Sequence, residues 1–132
     1  MSPLFFGVAT ALITPFCEMG IDFPALGRLL QRQVDAGVSG LVVGSTTGEG
    51  TLLTPSEKIS LLRYVSAFTE GKISIIAGVS AHTAKQAIEM GIEMENAGAN
   101  GLLVMTPYLT GVTQDGLVDF YGQVAMGCAM PF

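Results

Sequence analysis

Four apolar runs, at 5–13, 41–43, 73–77 and 101–105, each precede a stretch of helical spacing, and none alternates apolar with polar residues. A strand buried on both faces needs such a continuous run, and strands of this kind belong to parallel sheets covered by helices. The intervening stretches carry helix signals. Asp22 is placed to cap a first helix with Pro24 in its first turn, and Leu26, Leu29, Leu30 and Val34 recur at helical spacing. Ala36-Gly37 closes it. A capping box of Thr54 and Glu57 opens the second helix, whose inward face is Ile59, Leu62, Val65 and Phe68. The third spans 83–96, with Ala87, Ile88 and Met94 inward. In the fourth, Leu117, Phe120, Tyr121, Val124 and Cys128 share a face. Glu18-Met19-Gly20 is a turn.

An internal echo narrows the architecture. Asp35-Ala36-Gly37-Val38-Ser39-Gly40-Leu41-Val42-Val43 is matched by Asn96-Ala97-Gly98-Ala99-Asn100-Gly101-Leu102-Leu103-Val104, two strand–helix units later. Each unit takes about 30 residues, so eight make roughly 250, the usual size of a (β/α)8 TIM barrel. The fold expected is α/β, with the first four strand–helix units present and 1–132 forming the N-terminal half of a single barrel domain. An open doubly wound sheet also satisfies the alternation. Hydrophobic residues make up 49% of the chain and charged residues 13%. For a domain this small, that balance implies either a large interior or an apolar surface that meets something. Half a barrel has one, because its outer strands and inner face are left uncovered and invite self-association.

Charge and cysteine usage exclude several classes. The formal net charge is −5 and the six basic residues are scattered, which argues against nucleic acid. Cys17 and Cys128 lie far apart, His82 is the one histidine, and neither makes metal-ligand spacing, so no metal or cofactor is expected. The thiols read as buried and free. Residues 4–16 are almost all apolar, but Arg28 is the first basic residue and Pro15 interrupts the run. That pattern reads as a buried strand of a cytoplasmic protein and not as a secretory signal or a span, which needs roughly 20 apolar residues.

Barrel chemistry gathers at the C-terminal ends of the strands. Here those ends carry Thr14-Pro15, Ser45-Thr46-Thr47-Gly48-Glu49, Gly78-Val79-Ser80 and Thr106-Pro107-Tyr108. Together they outline a polar mouth rich in hydroxyls and poor in charge. The stretch 43–50 runs from strand through a glycine- and hydroxyl-rich loop towards a helix start, a layout whose amides can hold an anion such as a carboxylate. Thr14 and Ser80 taken singly are ordinary loop residues. Glu49 is expected to hydrogen-bond backbone in its own loop, and His82 to lie on the surface or in a packing contact. Tyr108 either relays a proton or packs by its ring. A Schiff-base lysine belongs on a strand end, partly desolvated. Lys58 and Lys85 lie early in helices and Lys72 precedes a strand, so none qualifies.

These residues carry a resemblance. Gly7-Val8-Ala9-Thr10-Ala11-Leu12-Ile13-Thr14-Pro15-Phe16, the Gly44-Ser45-Thr46-Thr47-Gly48-Glu49-Gly50 loop, Ile75-Ile76-Ala77-Gly78-Val79 and Val104-Met105-Thr106-Pro107-Tyr108 resemble the dihydrodipicolinate synthase and N-acetylneuraminate lyase family over about its first half. The resemblance implies a pyruvate-dependent lyase of lysine (diaminopimelate) biosynthesis. Pyruvate forms a Schiff base with a lysine on the sixth strand, and the enamine attacks L-aspartate 4-semialdehyde. It further implies that Thr47, with loop amides including that of Gly48, holds the pyruvate carboxylate, that Thr46 joins a proton relay, and that Tyr108 is a further candidate. It also implies a homo-oligomer, a tetramer in the family. The sixth-strand lysine is not among these 132 residues, so the chain alone is expected to be inactive. Where synthases carry a second tyrosine this chain has Leu109, as in some sugar-acid dehydratases of the family. Lysine-inhibited members tend to be polar where this chain has Gly50, Pro55 and Gln86, so the resemblance does not extend to lysine feedback.

Overall fold

The computed structural model describes residues 3–132. In chain order its elements are β1 (Ala9–Ala11), β2 (Phe16–Cys17), β3 (Gly20–Ile21), α1 (Phe23–Asp35), β4 (Gly40–Val43), α2 (Pro55–Thr69), β5 (Ser74–Val79), α3 (Ala84–Asn96), β6 (Gly101–Val104) and α4 (Gln114–Gly127). β1, β4, β5 and β6 form one parallel sheet in that order, with a helix between each pair of neighbours. These are consecutive units of a (β/α) barrel, the fold read from the strand pattern.

Register divides the sheet into two faces. Val43 lies opposite Ala77, and Ala77 opposite Leu102; all three are buried against the helices. One position along, Gly78 lies opposite Leu103, which is 52% exposed. Val42 and Ile76, paired with each other, are half-buried. The helix-covered face is therefore the core, continued by Leu26 and Leu30 of α1, Leu61 and Val65 of α2, Ala87 of α3 and Val124 of α4. Each such Leu or Val withdrawn from water contributes about 1.5–3 kcal/mol. The opposite, inner face is equally apolar but open.

Helix starts follow the local chemistry. The Asp22 carboxylate accepts from the Ala25 N–H at 2.8 Å. Thr54 and Glu57 form the reciprocal capping box, which holds the Glu57 carboxyl below the usual carboxylate range. α2 ends on Glu70 and Gly71, both in the left-handed region, where the chain turns back towards β5.

Several expectations need correction. The first strand is three residues long, not nine; Gly7 at φ +111° and the exposed Phe6 lie outside the ladder. The Glu18-Met19 turn closes a two-residue hairpin, β2 with β3, too short for any periodicity to announce. Cys17 sits exposed on that hairpin, not buried; Cys128 is half-buried, which raises its thiol pKa, with the nearby Glu95 charge adding to the shift. Val34 is 38% exposed, and Leu61, absent from the expected inward face of α2, is fully buried. After α4 the Pro131 carbonyl accepts from the Leu102 N–H at 2.9 Å, on the outer edge of β6.

Candidate functional site

The loop after β4 is built by close backbone approach. Gly44 turns the chain out of the strand at φ +65°. The Gly50 N–H returns to the Ser45 carbonyl at 2.9 Å, and the Glu49 N–H to the Thr46 carbonyl at 3.1 Å. A Cβ on Gly50 would overlap the Gly44 carbonyl, and one on Gly78 of β5 would stand 2.6 Å from both the Gly44 oxygen and the Ser45 Cα. Glycine at these positions lets the loop fold back on itself and lie on the end of β5. From the other side, the buried Thr14 hydroxyl donates to the Gly48 carbonyl at 2.7 Å. Thr14, grouped above with the mouth hydroxyls, therefore faces into the loop.

What this leaves free is the binding potential of the loop. Among the described residues, the N–H groups of Thr46, Thr47 and Gly48 have no hydrogen-bond partner, and neither do the exposed Thr46 and Thr47 hydroxyls. Three consecutive unpaired amides beside two hydroxyls can surround a small carboxylate. Beside them lies a cavity of about 240 Å³, lined by Ser45, Thr46, Gly78, Ser80, Leu103 and Met105. Its walls are apolar below and hydroxylic at the rim, which suits a small keto acid.

The remaining candidates separate. Glu49 is exposed at φ +54°; its backbone, not its carboxylate, makes the loop's hydrogen bonds, contrary to expectation. His82 is exposed and its ring lies 4.4 Å from that of Tyr108, so both take part in a packing contact. Among the described residues the Tyr108 hydroxyl has no partner, which leaves it free to bond. Leu109 follows at φ +60°, 96% exposed.

A larger cleft of about 420 Å³ opens between α2 and α3, lined by Leu53, Pro55, Lys58, His82, Met90 and Met94 among others. It meets the mouth at Ser80, which lines both. Size alone would favour it, but Thr46, the first of the three residues with free amides, lines the smaller cavity. Lys58 is half-buried there, and burial holds its ammonium below the usual lysine range, a feature its helix position did not announce. At neutral pH folding thus bears the cost of a desolvated charge, which fades as pH rises from the lowered folded value towards 10.5. Lys58→Met is expected to stabilise the chain at pH 7 by on the order of 0.5 kcal/mol, discounted for the side chain's exposed half. Thermal midpoints near pH 7 and pH 10 check this, and the gain must shrink at the higher pH. Among the described residues no helix is long and apolar enough to cross a membrane.

Comparison with known proteins agrees with the fold. The Dihydrodipicolinate synthetase family matches residues 4–132. A 4-hydroxy-tetrahydrodipicolinate synthase of Magnetococcus marinus is 37% identical over 97% of this chain and 44% of its own length. The dihydrodipicolinate synthase structure from Thermotoga maritima superposes with a TM-score of 0.93 at 33% identity, covering 97% of this chain and 43% of that one. That of the chloride-inhibited synthase from Acinetobacter baumannii, complexed with pyruvate, gives 0.90 at 30% identity over 95% and 43%. The chain thus spans less than half the length of the relatives it matches.

Proposed function

We propose, from the premise that this chain belongs to the dihydrodipicolinate synthetase family, that it forms the N-terminal half of a single barrel domain that condenses pyruvate with L-aspartate 4-semialdehyde. The activity is that of a lyase in lysine (diaminopimelate) biosynthesis, and the assembly a cytoplasmic homotetramer. The observation that carries the reading is the run of unpaired amides at Thr46, Thr47 and Gly48, set beside two free hydroxyls at a strand end.

In this reading the Thr47 hydroxyl and the Thr47 and Gly48 amides grip the pyruvate carboxylate. Hydrogen bonds to a charged acceptor are worth about 1.5–3 kcal/mol each. The keto group then lies over the apolar floor of Leu103 and Met105. Thr46, beside Thr47 at the rim, passes protons between the keto centre and solvent, and Tyr108 is the further hydroxyl within the same mouth. An amine from a lysine on the sixth strand of the complete eight-stranded barrel, distinct from β6 here, supplies the nucleophile: its attack on the ketone expels water and leaves the Schiff base. Leu109 supports a second reading, a sister enzyme acting on a sugar acid, because an exposed leucine cannot relay a proton. Turnover of aspartate semialdehyde by a barrel containing this chain would exclude the sister enzyme.

A pyruvate titration followed by amide NMR tests the binding half of the proposal on the 132-residue chain. The largest shifts are expected at the Thr46, Thr47 and Gly48 amides, and Thr47→Val should weaken binding about tenfold or more. Shifts concentrated in the α2–α3 cleft, or no shifts at all, would sink it.

A further inference from the structure

We infer that Thr14 is a positioning residue for the anion loop: its hydroxyl holds the Gly48 carbonyl and so fixes the Gly48–Glu49 peptide that directly follows the free amides. The inference rests on the pyruvate-carboxylate reading given above.

Thr14 and Thr69 are the two buried polar residues of the described chain. Thr69 bonds within its own helix, to the Ser66 carbonyl. Thr14 instead reaches across 34 residues, from the end of β1 to Gly48, at 2.7 Å. Contact there is tight: a Cβ on Gly48 would stand 2.9 Å from the Leu12 carbonyl and 3.1 Å from the Thr14 hydroxyl. A hydroxyl three residues past β1 thus meets a carbonyl of the loop after β4 in close contact.

The peptide between Gly48 and Glu49 is fixed from both ends. Its carbonyl is held by Thr14 and its N–H by the Thr46 carbonyl. Because a trans peptide points its C=O and N–H oppositely, the two bonds set one plane between them. Remove the hydroxyl and the Gly48 carbonyl is buried without a donor. The nearest relief is rotation of that peptide, which carries the carbonyl towards water at the mouth. A carbonyl dipole turned that way points its negative end at the site where a carboxylate should bind, and the Glu49 N–H loses its acceptor. Thr14 touches no substrate in this account; it acts through Gly48.

Thr14→Val keeps the shape of the side chain and removes the hydroxyl, whereas Thr14→Ser keeps the hydroxyl. The 132-residue chain and both variants are titrated with pyruvate by amide NMR, and hydrogen exchange is read at the Glu49 amide. Thr14→Val is expected to weaken pyruvate about tenfold, the usual weight of one hydrogen bond to a charged group, and to speed Glu49 exchange. Thr14→Ser should restore both. Wild-type affinity and exchange in Thr14→Val overturn the inference, as does equal impairment in Thr14→Ser. If the unsubstituted chain binds no pyruvate at the loop, the functional reading falls, and the Glu49 exchange rate alone decides whether Thr14 holds the peptide. If both Thr14→Val and Thr14→Ala unfold the chain, the hydroxyl serves stability alone and the inference is overturned.

Discussion

Gly78→Ala is expected to destabilise the chain by about 3 kcal/mol, at the upper end of what an added methyl costs in a packed interior. The reason lies in what the methyl would meet. The Cβ position at Gly78 is 2.6 Å from the Gly44 oxygen, 2.6 Å from the Ser45 Cα and 2.7 Å from the Ser45 nitrogen. All three are backbone atoms, so no side chain can swing aside. Relief requires moving the whole exit of β4 away from β5, across a ladder that pairs Val42 with Ile76 and Val43 with Ala77. The same displacement would lift Thr46 and Thr47 from the mouth, so loss of pyruvate binding should accompany loss of stability. Gly122→Ala is the matched control. Gly122 lies within α4, and an added Cβ there meets nothing within 4 Å. Replacing it should stabilise the chain by about 0.5–1 kcal/mol, through helix propensity and a less entropic unfolded chain. Urea unfolding followed by circular dichroism compares the two directly. A wild-type midpoint for Gly78→Ala would mean that β4 does not rest on β5 in the way described.

The contrast between these two glycines shows what a sequence can and cannot disclose. Both are single glycines inside an element. Their difference is a contact between Gly78 and Gly44, which no local pattern encodes. The fold itself was legible because its signals are local. Continuous apolar runs announced buried parallel strands, and Asp22 and the Thr54–Glu57 box announced helix starts within one turn of the residues they cap. The loop after β4 was legible as composition, since glycines and hydroxyls follow a strand directly. Its supports were not. Thr14 looked like one more mouth hydroxyl, and its partner is 34 residues away. The β2–β3 hairpin has two residues on each side, below the length at which any period can be read. Burial of Leu61 and exposure of Val34 depend on which neighbour each helix face meets, and spacing on one helix does not contain that information.

The inner face links the fold to the chemistry. Leu103 and Ile13 are about half exposed, although their strands read as apolar on both sides. An apolar run predicts that both faces will be covered, and in this chain helices cover one. A strand–helix complement on the other face would bury Leu103 and Ile13 and enclose the 240 Å³ mouth from below. Enclosure matters for the proposed reaction, because a Schiff base forms by losing water and persists where water is scarce.

The 132-residue chain, treated with pyruvate and borohydride, is expected to carry no stable adduct. Each lysine fails for a physical reason. The Lys72 ammonium is paired with Glu70 at 2.7 Å and stands before β5, at the end of the sheet opposite the mouth. Lys85 is exposed on α3, its ammonium 3.8 Å from the Glu89 carboxylate, and it lines neither the mouth nor the cleft. Lys58 is the demanding case. Burial lowers its pKa, which raises the share of free amine, the form that attacks a ketone. It lies, however, in the α2–α3 cleft among Leu53, Pro55 and Met90, a cleft that shares Ser80 with the mouth, and it approaches Gly44 and Gly78 from the side of the buried Leu61, Leu62 and Met94. Pyruvate gripped by Thr47 would present its keto carbon over Leu103 and Met105, on the other side of the β4 and β5 ends. Intact-mass measurement after reduction gives the answer, with Lys58→Met run in parallel. An adduct that disappears in Lys58→Met would show that the cleft binds the keto acid and supplies the amine, and the site would have to be moved there. With no adduct on the chain, and one per chain on a barrel that adds the strand-six lysine, the loop keeps its assignment as the half of the site that orients pyruvate without reacting with it.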